Sequence, residues 1–181
     1  MSRIPLIDAK TATGERKVLL DQITAAFGAT PGMFRAVANS PAALDMMWSA
    51  FGALSHGTLG SKLGEQVAVM VADRNACEYC LAAHTMLGKN AGVSADDMRR
   101  AQAGQSDDPK TAAALRFAAK VVADRAQVTD GDVEALREAG FTDEQVVELL
   151  AHVALNVFTN YVNVAFDVPI DFPRVKLLNA A

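Results

Sequence analysis

Asn75-Ala76-Cys77-Glu78-Tyr79-Cys80-Leu81-Ala82-Ala83-His84 holds both cysteines of a 181-residue chain. Residues three and four apart share one face of a helix. Cys77, Cys80 and His84 therefore line a single stripe, with the imidazole one turn beyond the second sulfur. Cα atoms one helical turn apart lie about 5 Å from each other, inside the window for a disulfide. Asn75 followed by Glu78 reads as an N-cap with its partner three residues on, which puts Cys77 at the second helical position and Cys80 one turn deeper. Unpaired N–H groups at a helix start stabilise a thiolate, as does a nearby imidazolium. The first effect favours Cys77 as the acidic sulfur and the second favours Cys80; these residues alone leave both open.

Helix signals recur on either side of this stretch. Thr30-Pro31 and Ser40-Pro41 each place a capping side chain before a proline suited to the first helical position. Ser94 with Asp97, and Thr129 with Asp132, put an acid in a first turn, and Thr142 with Gln145 reads as a capping box. The pattern predicts helices near 15–27, 31–38, 41–55, 61–73, 76–90, 95–103, 109–126, 130–139 and 142–165. The last is long enough to admit an internal break or bend. Hairpin turns and alternating β-branched runs are missing. Residues 1–14 and 167–181 read as extended, the second packed against the rest through Ile170, Phe172 and Val175.

Glu65-Gln66-Val67 recurs as Glu144-Gln145-Val146. In that register Cys77 stands opposite Asn156, Cys80 opposite Thr159 and His84 opposite Asn163. The expected fold is all-α: one domain over 1–181, a bundle of about eight to nine helices containing a duplicated helical hairpin. Its core spans about 41–165, with a cysteine-bearing half near 41–93 and a cysteine-free half near 109–165.

A net charge of −4 gives no basic footprint for nucleic acid. With 51% apolar residues the chain can build a substantial core and bury helix faces between subunits. The N-terminal stretch lacks a signal-peptide core, and no segment is read as reaching the ~20 apolar residues of a membrane span, so a cytoplasmic protein is expected. In that reducing compartment a close cysteine pair is redox-active or metal-binding more often than a permanent staple. Cys77, Cys80, His84 and Glu65 could supply four zinc ligands, but structural zinc sites draw on two separated pairs and no second pair exists. No metal and no cofactor are expected. An inert buried pair is the bland alternative.

The pattern Glu65, eleven residues, then Cys77-x-x-Cys80-x-x-x-His84 resembles the alkylhydroperoxidase D-like (AhpD-like) family within the carboxymuconolactone decarboxylase superfamily. The stretch from about Pro41 to Val93 looks like that family's core. The resemblance implies an all-helical homo-oligomer, a trimer or hexamer, that reduces hydroperoxides through its two cysteines. It also implies the roles. Cys80 would attack the peroxide, Cys77 would resolve the sulfenic acid as a disulfide, and Glu65 with His84 would relay the proton. A dithiol or lipoyl-type reductant would close the cycle. One position departs from the family: Tyr79 stands where its best-known members carry a second histidine. Tyrosine titrates near ~10 and does not share a proton at neutral pH as histidine does, which points to a peroxidase-related subgroup.

Two other functions fit the same residues. One is a carboxymuconolactone decarboxylase-like enzyme acting on a small lactone or carbonyl compound, with His84 and Glu65 as acid and base. The paired cysteines count against it. The other is a redox-sensing module without turnover. Outside the site, His56 reads as a helix C-cap and His152 as a satisfied core or interface residue. Met46, Met47 and Trp48 read as packing, and Asn156, Thr159 and Asn163 as hydrogen-bonding groups between the halves.

Overall fold

A computed structural model of the protein describes residues 2–178; the ends of the two segments read as extended, residue 1 and residues 179–181, lie outside them. Among the described residues the chain is all-α, with nine helices and no strand. They are α1 (Gly14–Phe27), α2 (Gly32–Val37), α3 (Pro41–Ser55), α4 (Ser61–Arg74), α5 (Glu78–Asn90), α6 (Ala95–Gln102), α7 (Pro109–Ala123), α8 (Asp130–Glu138) and α9 (Asp143–Phe166).

Most starts follow the capping chemistry of the sequence. The side chains of Ser40, Ser94, Thr129 and Thr142 each accept a backbone N–H three residues on, and the last two close reciprocal capping boxes. Two starts differ. Thr30 does not cap α2; its hydroxyl meets that of Thr24 at 2.5 Å, and Pro31 occupies the cap position. Asn75 does not cap α5 but closes α4, because Ala76 turns into the left-handed region at φ 52° and Cys77 becomes the N-cap. A non-glycine residue there costs about 1–2 kcal/mol, and nothing in the sequence marks Ala76 for it.

α4 is the hub. Its Val67, Val69, Met70, Val71 and Ala72 are fully enclosed by α5, α6, α7 and α9. The repeat takes two different forms. In the first copy a three-residue link folds the chain back as the α4–α5 hairpin; in the second the matching positions run along α9, one continuous helix without a break. By length and composition α9 could cross a membrane, contrary to the expectation that no segment could. In the fold it packs against α2, α3, α4, α5 and α7 and buries Leu149, Val153, Asn156, Thr159, Asn160 and Asn163.

The C-terminal segment packs as expected. The Asp171 carboxylate accepts from Gly32 N at 2.6 Å, Phe172 sets its ring edge-on to Tyr79, and Leu178 N donates to the buried Asp73 at 2.8 Å. His56 is the C-cap of α3, as read from the sequence. Met47 is core and Trp48 packs on Phe27 and Phe34, whereas Met46 is exposed.

Candidate active site

Cys77 and Cys80 are paired as a disulfide with their Cα atoms 5.4 Å apart, and both residues are buried, at 1% and 2% exposure. The pair sits astride the start of α5. Cys77 Sγ accepts the backbone N–H of Cys80 at 3.2 Å, so the first sulfur takes the place of a capping oxygen at the positive end of the helix. The second sulfur is held from α9, where Asn163 Nδ2 donates to Cys80 Sγ at 3.2 Å and to Thr159 O at 3.0 Å. Each sulfur therefore has its own donor, one from the backbone and one from a side chain. The conflict between Cys77 and Cys80 as the acidic thiol had no solution in sequence because both environments favour a thiolate.

Glu65 on α4 and His84 on α5 meet as the resemblance implied, with Nδ1 of His84 2.8 Å from Glu65 Oε2. An ionised Glu65 fixes the proton on Nδ1 and leaves Nε2 as the acceptor. His84 and Cys80 share the wall of a small cavity of about 60 Å³. Its other walls are chiefly apolar and aromatic: Phe27, Phe34, Phe51, Tyr79 and Phe172, with Thr159 from α9. All four residues singled out in the sequence thus fall in one region, with Cys80 and His84 on a common cavity and Glu65 behind the histidine. Among the described residues no cluster of three or more His, Cys, Asp or Glu is placed to hold a metal ion.

Tyr79 has a different duty from the histidine it replaces. Its hydroxyl donates to Asp171 Oδ2 at 2.7 Å and accepts from Met33 N at 3.3 Å. Burial, reinforced by the hydrogen bond to Asp171, pushes the phenol far above the ordinary tyrosine range. It stays protonated and ties the C-terminal segment to α2 and α5.

Two residues that sequence reading left as structural groups reach the site. Asn163 touches the Cys80 sulfur, and the repeat register, which set it opposite His84, was the signal. His152 lines a second chamber with Glu65 and His84. Asn156 and Thr159 keep local roles, each bonding a backbone carbonyl of α9.

An all-helical protein with a helix-borne cysteine pair beside a Glu–His couple defines a narrow class. Residues 41–124 match the carboxymuconolactone decarboxylase family, a segment that contains Glu65, Cys77, Cys80 and His84. An uncharacterized peroxidase-related protein from Ralstonia eutropha JMP134, with an alkylhydroperoxidase AhpD core, is similar at 25% identity over 94% of this chain and 92% of its own, with a TM-score of 0.83. An uncharacterized peroxidase-related protein from Silicibacter sp. TM1040 follows at 22% identity, covering 93% and 91%, with a TM-score of 0.82. The debrominase Bmp8, in a cysteine-to-alanine form in complex with 2,3,4-tribromopyrrole, shares the fold at 18% identity over 93% and 91%, with a TM-score of 0.78. No curated protein matches the chain. Over residues 41–124 the chain is similar to the carboxymuconolactone decarboxylase family, and its fold is like that of the AhpD-core structures.

Proposed function

We propose that this protein is a thiol-dependent oxidoreductase that reduces hydroperoxides through Cys77 and Cys80. The observation that carries the reading is Cys80, disulfide-bonded to Cys77, at the wall of a small, chiefly apolar cavity that also holds His84, itself bonded to Glu65. In the reduced protein His84 Nε2 takes the Cys80 proton, and Asn163 Nδ2 stabilises the thiolate. The thiolate attacks the distal peroxide oxygen, the O–O bond breaks, and the proton returns to the departing alkoxide. The products are Cys80 sulfenic acid and an alcohol. Cys77 then displaces water to form the disulfide. Its sulfur already faces the helix start, where the Cys80 N–H favours its thiolate. A dithiol, of the lipoyl kind or another, reduces the disulfide and is itself oxidised. Rapid capture by Cys77 protects Cys80 from over-oxidation.

The cavity favours a small organic hydroperoxide over a polar one, since five of its walls are aromatic. A cytoplasmic setting supplies the reducing thiols the cycle needs. A homo-oligomer, trimer or hexamer, accounts for the apolar residues left exposed along α9, among them Val147, Leu150, Tyr161 and Val164. The aromatic lining also suits a second thiol-driven reaction, the removal of a halogen from a small aromatic ring, as the name of the debrominase suggests.

The test is peroxide consumption with a dithiol donor. Cys80→Ser is expected to abolish it, and Cys77→Ser to leave a trapped sulfenic acid or a mixed disulfide. Full activity in Cys80→Ser would refute the assignment of the nucleophile. Halide release from a brominated pyrrole without peroxide consumption would favour the second reaction.

A further inference from the structure

Behind the Glu65–His84 pair lies a chamber of about 190 Å³, distinct from the cavity at Cys80 but sharing His84 and Phe51 with it. His152 reaches this chamber from α9. Its ring lies against the backbone of α4 at Gly64, where an added Cβ would stand 3.3 Å from Cε1. Glycine at that position lets the imidazole settle beside the residue that precedes Glu65. Oε2 of Glu65 is taken by His84, while Oε1 has no hydrogen-bond partner among the described residues, and neither has either ring nitrogen of His152. The charged and titratable groups that act on His152 are Glu148 on its own helix, Glu65 on α4 and His84 on α5. Glu148 is otherwise engaged: its carboxylate accepts from Thr58 N at 2.8 Å and Leu59 N at 2.9 Å.

We propose that His152 is the outer titrating partner of the Glu65–His84 couple across the chamber the three share, taking up part of the proton that Cys80 releases on ionising. Burial pushes its imidazole below the ordinary histidine range, with His84 acting the same way and Glu148 and Glu65 opposing. With the sulfurs paired, His152 is therefore neutral at neutral pH and has a vacant lone pair. When Cys80 becomes a thiolate, the added negative charge raises the proton affinity of the whole group, and the proton spreads over both histidines instead of resting on His84 alone. No bond other than N–H, O–H and S–H changes in this step, and no electrons move.

The inference rests on Cys80 as the reacting thiol and is tested apart from peroxide turnover. In reduced Cys77→Ser protein the ultraviolet absorbance of the thiolate reports Cys80 alone. His152→Gln should move its titration midpoint upward by about one unit, a tenfold loss of thiolate below the midpoint. A midpoint within a tenth of the parent value overturns the proposal. If His152→Gln does not fold, the reciprocal experiment decides it on the parent side chain. The NMR titration of His152 in reduced Cys77→Ser protein should fall when Cys80 is also changed to serine, and an unmoved titration overturns the proposal. A protein that consumes no peroxide yet shows the coupled titrations loses the peroxidase reading and keeps the relay.

Discussion

Asn163→Ala isolates the one side-chain donor that touches the Cys80 sulfur among the described residues. A hydrogen bond to a charged group contributes about 1.5–3 kcal/mol. Here the same amide also serves Thr159 O at 3.0 Å, so the lower figure applies. At about 1.4 kcal/mol per unit this raises the Cys80 thiol by roughly one pH unit. The rate of thiol oxidation by a hydroperoxide, followed by stopped flow, should then fall about tenfold at pH values below the thiol midpoint. At alkaline pH, where both proteins are fully ionised, the two rates should converge. Stability should change less than for an ordinary buried truncation, because Asn163 Oδ1 is buried without a partner among the described residues and its loss removes an unsatisfied group. A variant whose rate is depressed equally at every pH would refute the reasoning, since the amide would then be shaping the cavity and not the charge on sulfur.

Other consequences follow from the same geometry. Tyr79→Phe keeps the ring against Phe172 but strands Met33 N and one Asp171 bond, so it should cost about 1–3 kcal/mol. A thermal melt should show this as a fall of roughly 2–4 °C per kcal/mol, and the pH profile of thiol oxidation should stay in place because the phenol never ionises in the working range. Asp132 is held down to about 2 by Lys120 first and by Thr129 second. Its folded value lies below the ordinary ~3.9 of the unfolded chain. The stability it lends is therefore present above about pH 4 and lost as pH falls towards 2. Melting curves of Asp132→Asn across that range should be flatter than those of the parent.

The helical architecture was legible because it rests on local chemistry. Ser40, Ser94, Thr129 and Thr142 cap where their spacing said they would, since a cap needs only a side chain and an N–H three residues away. Glu65 and His84 were legible as a pair only through the family resemblance, and the α4–α5 hairpin turns that pattern into contact. Ala76 was not, because its positive φ comes from the demand of closing α4 and opening α5 within three residues, and alanine carries no mark of it. His152 looked like an ordinary satisfied histidine on an apolar helix face. Its place in a chamber shared with Glu65 depends on how α9 crosses α4, and Gly64 was a local hint of a ring lying there. Asn163 was half legible, since the repeat named it as the partner of His84 but could not say that it would reach across to Cys80.

The central claim is that Cys77 and Cys80 act together as one two-electron site. Counting free thiols while reduced protein is titrated with a small organic hydroperoxide tests it most directly. Both thiols should disappear for each peroxide consumed, and a dithiol should restore both through repeated rounds. Thiols that survive excess peroxide, or a single thiol lost without disulfide formation, would contradict it.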